Sequence, residues 1–423
     1  MLTEKFNINF NDSSPSGRLR GVGIYIHIPF CKQKCHYCDF HFSTSLKRKD
    51  EMMQALVKEL VLRKEELKDE TIETIYVGGG TPSLLRVEEL QLLINTIFQN
   101  YKVAETPEIT LEANPDDLLS SRAQSRDIFK NYRSIGINRL SIGIQSFFDE
   151  DLQLMNRAHN AEEAKKSLLE ATHYFDNITI DLIYGIPNMS NKRWKENLKI
   201  AFESGVNHIS SYALTVEPKT ALASFIKQGK YPQVSEELAL EHFNTLVEET
   251  EKQGFVQYEI SNFGKPGFFS KHNTSYWKGK KYLGIGPSAH SFDGKQRSWN
   301  ISNNVKYIKS ITENNLPQQI EILSEKDLFN EMIMTGLRTV WGVSLDKIET
   351  QFGKAVKEEL LKNAQKFIDN GLLVIASPSP WEKQSFSKKQ IISSPTPHNN
   401  VVLKTTQKGK FLSDGIASDL FII

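Results

Sequence analysis

The chain has little cysteine. There are three in 423 residues, and Cys31, Cys35 and Cys38 all fall in one short stretch. An odd number crowded into one loop excludes a disulfide framework, which needs an even number spread through the chain. Excess charge of either sign is also missing, with 52 basic and 51 acidic residues. That balance gives no support to bulk nucleic-acid binding. No apolar run approaches the roughly 20 residues of a membrane span. The N-terminal MLTEKFNINFNDSSPSG has no apolar core of a signal peptide. Residues 1–20 read as a short disordered leader. The length suffices for two or three domains with a sizeable core.

What is present is organised around Gly21 to Phe42, GVGIYIHIPFCKQKCHYCDFHF. Ile24, Ile26 and Ile28 alternate with Tyr25 and His27, the pattern of a strand. Pro29 ends its ladder, having no N–H to donate. The cysteines follow at once in a C-x3-C-x2-C spacing. Two metal chemistries fit three thiolates in one loop. One is a Cys3His zinc site completed by His27, His36 or His41. The other is a [4Fe–4S] cluster held by three thiolates, with one iron left open to a non-protein ligand.

Further along, strand and helix signals alternate. Strands are expected at 75–77, 108–115, 137–147, 177–187 and 208–218. Helices are expected at 51–68, 87–99, 117–133, 149–175 and 191–203. Six strands each followed by helix imply parallel strands with right-handed crossovers, and ligands at the strands' C-terminal ends. Candidate residues cluster at those ends: the cysteines, then Gly78-Gly79-Gly80-Thr81-Pro82, Glu112, Gln145 and Asp181. From about 235 the style changes. An amphipathic helix covers 235–253, and a glycine-rich, aromatic stretch with few helix signals follows. Residues 324–371 are helical, 377–398 are a polar insertion, and a small β-like piece with a helical tail closes the chain. The expected division is a barrel over 21–234, a second region over 235–330 and a C-terminal helical and small β region over 331–423.

Within the second region, His272-Asn273-x-x-Tyr276-Trp277 offers an imidazole beside two flat aromatic faces. Iron with an axial histidine and a stacked macrocycle would suit such a set. A hydrogen-bonded histidine beside a core Tyr-Trp pair fits the same residues.

The cysteine spacing, with Tyr37 before the last cysteine, resembles the radical S-adenosylmethionine (radical SAM) enzymes. IHIPFCKQKCHYCDF, GGGTPSLL, HNTSYW and GIGPSAHSF together resemble the HemW-type haem chaperones. The resemblance covers roughly residues 20–345 and weakens beyond. It implies an α/β fold, a partial (β/α)6 barrel followed by a smaller α+β region. It implies a [4Fe–4S] cluster on Cys31, Cys35 and Cys38, SAM on its open iron, and haem. For SAM it implies contacts from Gly79, Gly80, Thr81, Glu112, Gln145 and Arg157, with Asp181 on the ribose and the Ala213 backbone near the adenine. It implies Tyr25 beside the cluster, and His272, Tyr276 and Trp277 at the haem, with His290 the next histidine to weigh. Lys271, Lys278, Lys280 and Lys281 are candidate partners for haem propionates. The implied partners are haem-accepting proteins, respiratory and membrane-associated ones among them. An oxygen-sensitive cluster without an export signal implies the cytoplasm.

The same residues are similar to oxygen-independent coproporphyrinogen III oxidase, the alternative reading. That enzyme carries a further cysteine two residues after the third cluster ligand, where this chain has Phe40. It also has a longer N-terminal segment than the twenty or so residues here. Both departures lead to the expectation of a haem chaperone without decarboxylase activity.

Overall fold

The computed structural model describes residues 21–119, 127–378 and 401–422. The expected leader lies outside them, as does the polar insertion apart from residues 377 and 378.

Alternation along the strands decides the architecture. Six strands, β1 (Val22–Ile28), β2 (Ile72–Gly79), β3 (Val103–Ala113), β4 (Arg139–Gln145), β5 (Ile178–Tyr184) and β6 (His208–Ala213), lie side by side in chain order, all parallel. Sequential order with helical crossovers is the pattern of a barrel wall rather than of a doubly wound sheet. One set of side chains, including Ile24, Ile26, Ile75, Val77, Leu111, Ile142 and Ile180, is fully shielded in one large core with the crossover helices. The alternate set is polar. Tyr76, Glu112, Arg139, Asp181, Ser210 and Tyr212 border a common cavity of about 60 Å³.

The barrel interior around Glu112 is therefore polar. The apolar residues face the helices, and the concave side keeps the polar ones. The strands carry one largely polar face and one apolar face, and the crossover helices bury the apolar one.

The aromatic stretch after 254 holds strands that the sequence did not announce. β8 (Asn262–Gly264) adds antiparallel to β6, and β7 (Val256–Glu259) antiparallel to β8. β9 (Tyr282–Ile285) adds parallel to β1 on the other side, followed by β10 (His290–Phe292), β11 (Gln296–Asn300) and β12 (Gln318–Ile322). The resulting 12-stranded sheet has β12 and β7 as its edges. The helix Lys271–Trp277 packs against β1 and β2.

The expected single helical stretch over 149–175 is two helices, Asp149–Leu154 and Ala161–Thr172. Asn156, at φ +55°, breaks it, and Asn160 caps the second helix by accepting from Glu163 N. A left-handed residue ends one helix and a capping box starts the next.

A second core forms around Phe329, Ile333, Leu337, Leu360 and Leu403. It carries the small sheet β13 (Val343–Ser344), β14 (Leu373–Ala376) and β15 (Val402–Thr405), with β15 in the middle. Arg338 fastens this unit to the barrel. It reaches Glu259 at 3.1 Å, where Glu259 is 1% exposed, and Asp414 at 2.5 Å.

Candidate cofactor site at the barrel mouth

The cysteine loop is stapled before any ligand arrives. Cys31 N donates to Ser43 O, His36 N to Met155 O and Leu222 N to His36 O. The Asn156 side chain donates to Lys34 O at 2.7 Å, so the residue that breaks the helix also pins the loop. All three thiols are half-buried. Burial pushes the Cys31 thiol up to about 11 and raises Cys38 as well, with the Thr81 hydroxyl against Cys31 working the other way.

The glycines after β2 come close to this loop. A Cβ at Gly80 would sit 2.5 Å from Phe30 O and 3.0 Å from Cys31 Sγ. Gly79, at φ +111°, would bring one within 2.6 Å of His27 Nδ1. Only glycine leaves the backbone open there.

Glu112 lies beside them. Its carboxylate accepts from Tyr76 OH at 2.8 Å and Gly79 N at 3.0 Å. Burial pushes Glu112 up to about 7, against those two hydrogen bonds. Asp181, across the cavity, is also pushed up to about 7, by burial first and then by the Glu112 charge. Gln145 sits at φ +67°, where the β4–β5 register shifts. Such a bulge re-aims a side chain. Over Gly143 three polar groups gather: a Cβ there would meet Gln145 Nε2 at 3.0 Å, Arg157 Nη2 at 3.1 Å and Asn114 Oδ1 at 3.3 Å. Arg157 donates to Cys35 Sγ at 3.3 Å, to Asn114 Oδ1 at 2.7 Å and to Gly143 O at 3.0 Å. Ala213 ends β6, paired with Tyr184. Tyr25 donates to His27 Nδ1 at 3.0 Å.

His272 lies on the opposite side of Tyr25, with ring centroids 6.5 Å apart. It is 1% exposed. Its Nδ1 meets the Thr74 hydroxyl at 2.7 Å and its Nε2 the Tyr276 hydroxyl at 2.7 Å. Burial pulls it down to about 3, so the ring is neutral, the form that ligates metal. Two backbone amides at the helix start, Lys271 N and His272 N, donate to the Glu108 carboxylate. Trp277 faces the Arg338 guanidinium at 5.2 Å. The flanking lysines have partners of their own: Lys280 with Glu73, Lys281 with Glu70, and Lys278 over the Trp341 ring at 4.3 Å. His290 is exposed and stacks on Trp299.

The sequence reading missed Tyr76, Thr74, Glu108 and Asn114. Period-two spacing could have found two of them: Tyr76 precedes Gly78 by two, and Asn114 follows Glu112 by two.

The chain is 35% identical over 337 residues to Heme chaperone HemW of Bacillus subtilis (strain 168), covering 78% of this chain and 87% of that protein. It belongs to the HemW family of haem chaperones. Heme chaperone HemW of Mycobacterium tuberculosis (strain ATCC 25618 / H37Rv) is 32% identical over 357 residues, covering 83% and 88%. The radical SAM superfamily profile matches residues 25–201 and the HemN C-terminal domain profile residues 323–377. The solved coproporphyrinogen III oxidase (HemN) from Escherichia coli, described as a radical SAM enzyme, superposes with a TM-score of 0.77. It covers 95% of this chain and 90% of that one at 22% identity, a likeness of fold.

Radical SAM membership implies a [4Fe–4S] cluster and SAM, and the residues present fit both. The loop offers three thiols beside an arginine, and the glycine edge keeps open a cradle that a Cβ would fill. Arg157 Nε is buried without a protein partner. A zinc site needs four donors at about 2.0–2.3 Å from one ion. Among the described residues no group of three or more His, Cys, Asp or Glu could hold a single metal ion. His27 is engaged at both nitrogens, and His36 and His41 at one each. A cubane places each thiolate on a separate iron and makes no such demand.

Proposed function

We propose that the protein binds one haem per chain and passes it to acceptor proteins, respiratory and membrane-associated ones among them, from the cytoplasm. Its relatives' shared name, Heme chaperone HemW, over about four-fifths of the chain carries this reading. No helix among the described residues is long and apolar enough to cross a membrane.

In this reading Cys31, Cys35 and Cys38 hold the cluster. The Gly79–Thr81 edge, Glu112, Gln145 and Arg157 orient SAM, Asp181 takes the ribose hydroxyls, the Ala213 backbone meets the adenine, and Tyr25 stands beside the cluster. When bound, the pair supplies one-electron chemistry at a sulfonium. The protein's own part is to position, since contacts at the strand ends fix where the sulfonium lies.

Haem would be held near the boundary between the barrel and the region that follows it, by His272 as the iron ligand with Tyr276 and Trp277 against the macrocycle. Both nitrogens of His272 are engaged, so iron ligation requires the helix Lys271–Trp277 to yield one of its two hydroxyl contacts. His290, exposed, is the ligand to consider if the helix stays seated. The decarboxylase alternative has less support: the likeness to HemN is one of fold, and Phe40, 75% exposed, stands where the resemblance to the oxidase implies a cysteine.

The test is transfer. Haem-loaded protein mixed with an apo-haemoprotein such as apomyoglobin should lose its Soret band as the acceptor's grows. Coproporphyrinogen III with SAM and reductant under anaerobic conditions should release no carbon dioxide. No haem uptake, or steady decarboxylation, would refute the reading.

A further inference from the structure

Hydrogen-bond donors converge on the cysteine loop through one side chain that the chemistry above leaves unused. Asn114 follows β3, two residues beyond Glu112. Its Oδ1 accepts from Arg157 Nη2 at 2.7 Å, and its Nδ2 reaches the Thr81 hydroxyl at 3.2 Å. Its backbone N–H donates to Ser83 Oγ at 3.2 Å, which fixes the residue from behind.

The amide orientation is forced. Arginine only donates, so the oxygen of Asn114 must face Arg157 and its NH2 must face Thr81. Thr81 Oγ1 is then an acceptor toward Asn114, which leaves its own proton available to Cys31, the thiol that lies against the adjoining Gly80. Arg157 spends another N–H on Cys35 Sγ at 3.3 Å. One hydrogen of this network therefore ends on the Cys35 sulfur, and a second is available to Cys31.

We propose that Asn114 is a positioning residue for the cluster: it holds Arg157 and the Thr81 hydroxyl as donors on Cys35 and Cys31, and so raises the cluster's reduction potential. The inference rests on the cluster assignment above. Hydrogen bonds and positive charge at cluster sulfurs favour the more negative, reduced state. In Asn114→Asp the carboxylate still accepts from Arg157, but it cannot donate to Thr81. It accepts the Thr81 proton instead, taking it from Cys31, and adds a negative charge. Thr81→Val removes that donor alone, and Thr81→Ser keeps it.

The experiment is potentiometry followed by electron paramagnetic resonance on anaerobically reconstituted full-length protein without SAM, with iron and sulfide content measured on the same samples. Asn114→Asp and Thr81→Val should each make the potential more negative, by about tenfold in the one-electron equilibrium or about 59 mV. Thr81→Ser should match wild type. A wild-type potential in Asn114→Asp and Thr81→Val at full iron and sulfide content overturns the proposal while leaving the cluster assignment intact. Wild type that takes up no iron and sulfide overturns the assignment and the proposal with it. If Asn114→Asp fails to fold, the Thr81→Val and Thr81→Ser pair decides: equal potentials refute.

Discussion

Glu112→Gln isolates the consequence of building a polar cavity inside the barrel. Glu112 ordinarily titrates near 4.5, and burial pushes it up to about 7, with Asp181 raised beside it. A carboxyl held above its unfolded value favours the protonated fold. Its contribution is fully present below the unfolded pKa and is lost as pH rises through the folded one. The shift corresponds to at most about 3 kcal/mol for Glu112. Because each charge opposes the other, the pair ionises in two joint steps, and the loss for one residue is smaller than that ceiling. Glutamine removes the ionisation and keeps an oxygen for Tyr76 OH and Gly79 N. Without SAM, wild type should lose stability between about pH 5 and about pH 8, and Glu112→Gln should lose less. The two should melt together at the acid end, with the variant higher by a few degrees at the alkaline end. With SAM present the order should reverse, because a cationic ligand favours the ionised carboxylate, and the variant should bind SAM more weakly by about 1–3 kcal/mol. Thermal melting across this pH range, with and without SAM, is the assay. A melting difference independent of pH, or a variant less stable than wild type at the alkaline end, would refute the argument.

Cys35→Ala should abolish the reconstituted cluster's absorption near about 400 nm, read with iron and sulfide content. Arg338→Ala leaves Glu259 buried without its cation, so the barrel and second core should loosen at a cost of about 3–5 kcal/mol, measured by denaturant unfolding. Phe40→Cys should not create coproporphyrinogen decarboxylation in an anaerobic assay, because one thiol added at a 75% exposed position does not by itself build a substrate site.

Much of the barrel was legible because its strands are regular. Ile24, Ile26 and Ile28 against Tyr25 and His27 state both faces of β1, and the glycines and Glu112 mark strand ends. The later strands were not legible: β8 and β10 are three residues each, too short for any period to register. The polar barrel interior was not legible because a single residue such as Glu112 looks anomalous until its neighbours Tyr76, Arg139 and Asp181 are seen to share one cavity. His272 and Tyr276, four residues apart, share a face of the helix Lys271–Trp277, and the two side chains meet. What the sequence could not give was Thr74, about two hundred positions earlier, holding the other nitrogen. Asn114 escaped for a similar reason: its meaning lies in joining Arg157 to Thr81, which is a fact of the fold.

The central claim is that this radical SAM scaffold binds haem through its own histidine. The direct measurement is a haem titration of anaerobically reconstituted wild type and His272→Ala, followed at the Soret band. The account predicts saturation at one equivalent in wild type, and a weaker or shifted band in the variant at equal cluster content. Saturation at one equivalent with an unchanged band in His272→Ala would move the ligand to another residue, His290 first, and no stoichiometric band in wild type would contradict the claim itself.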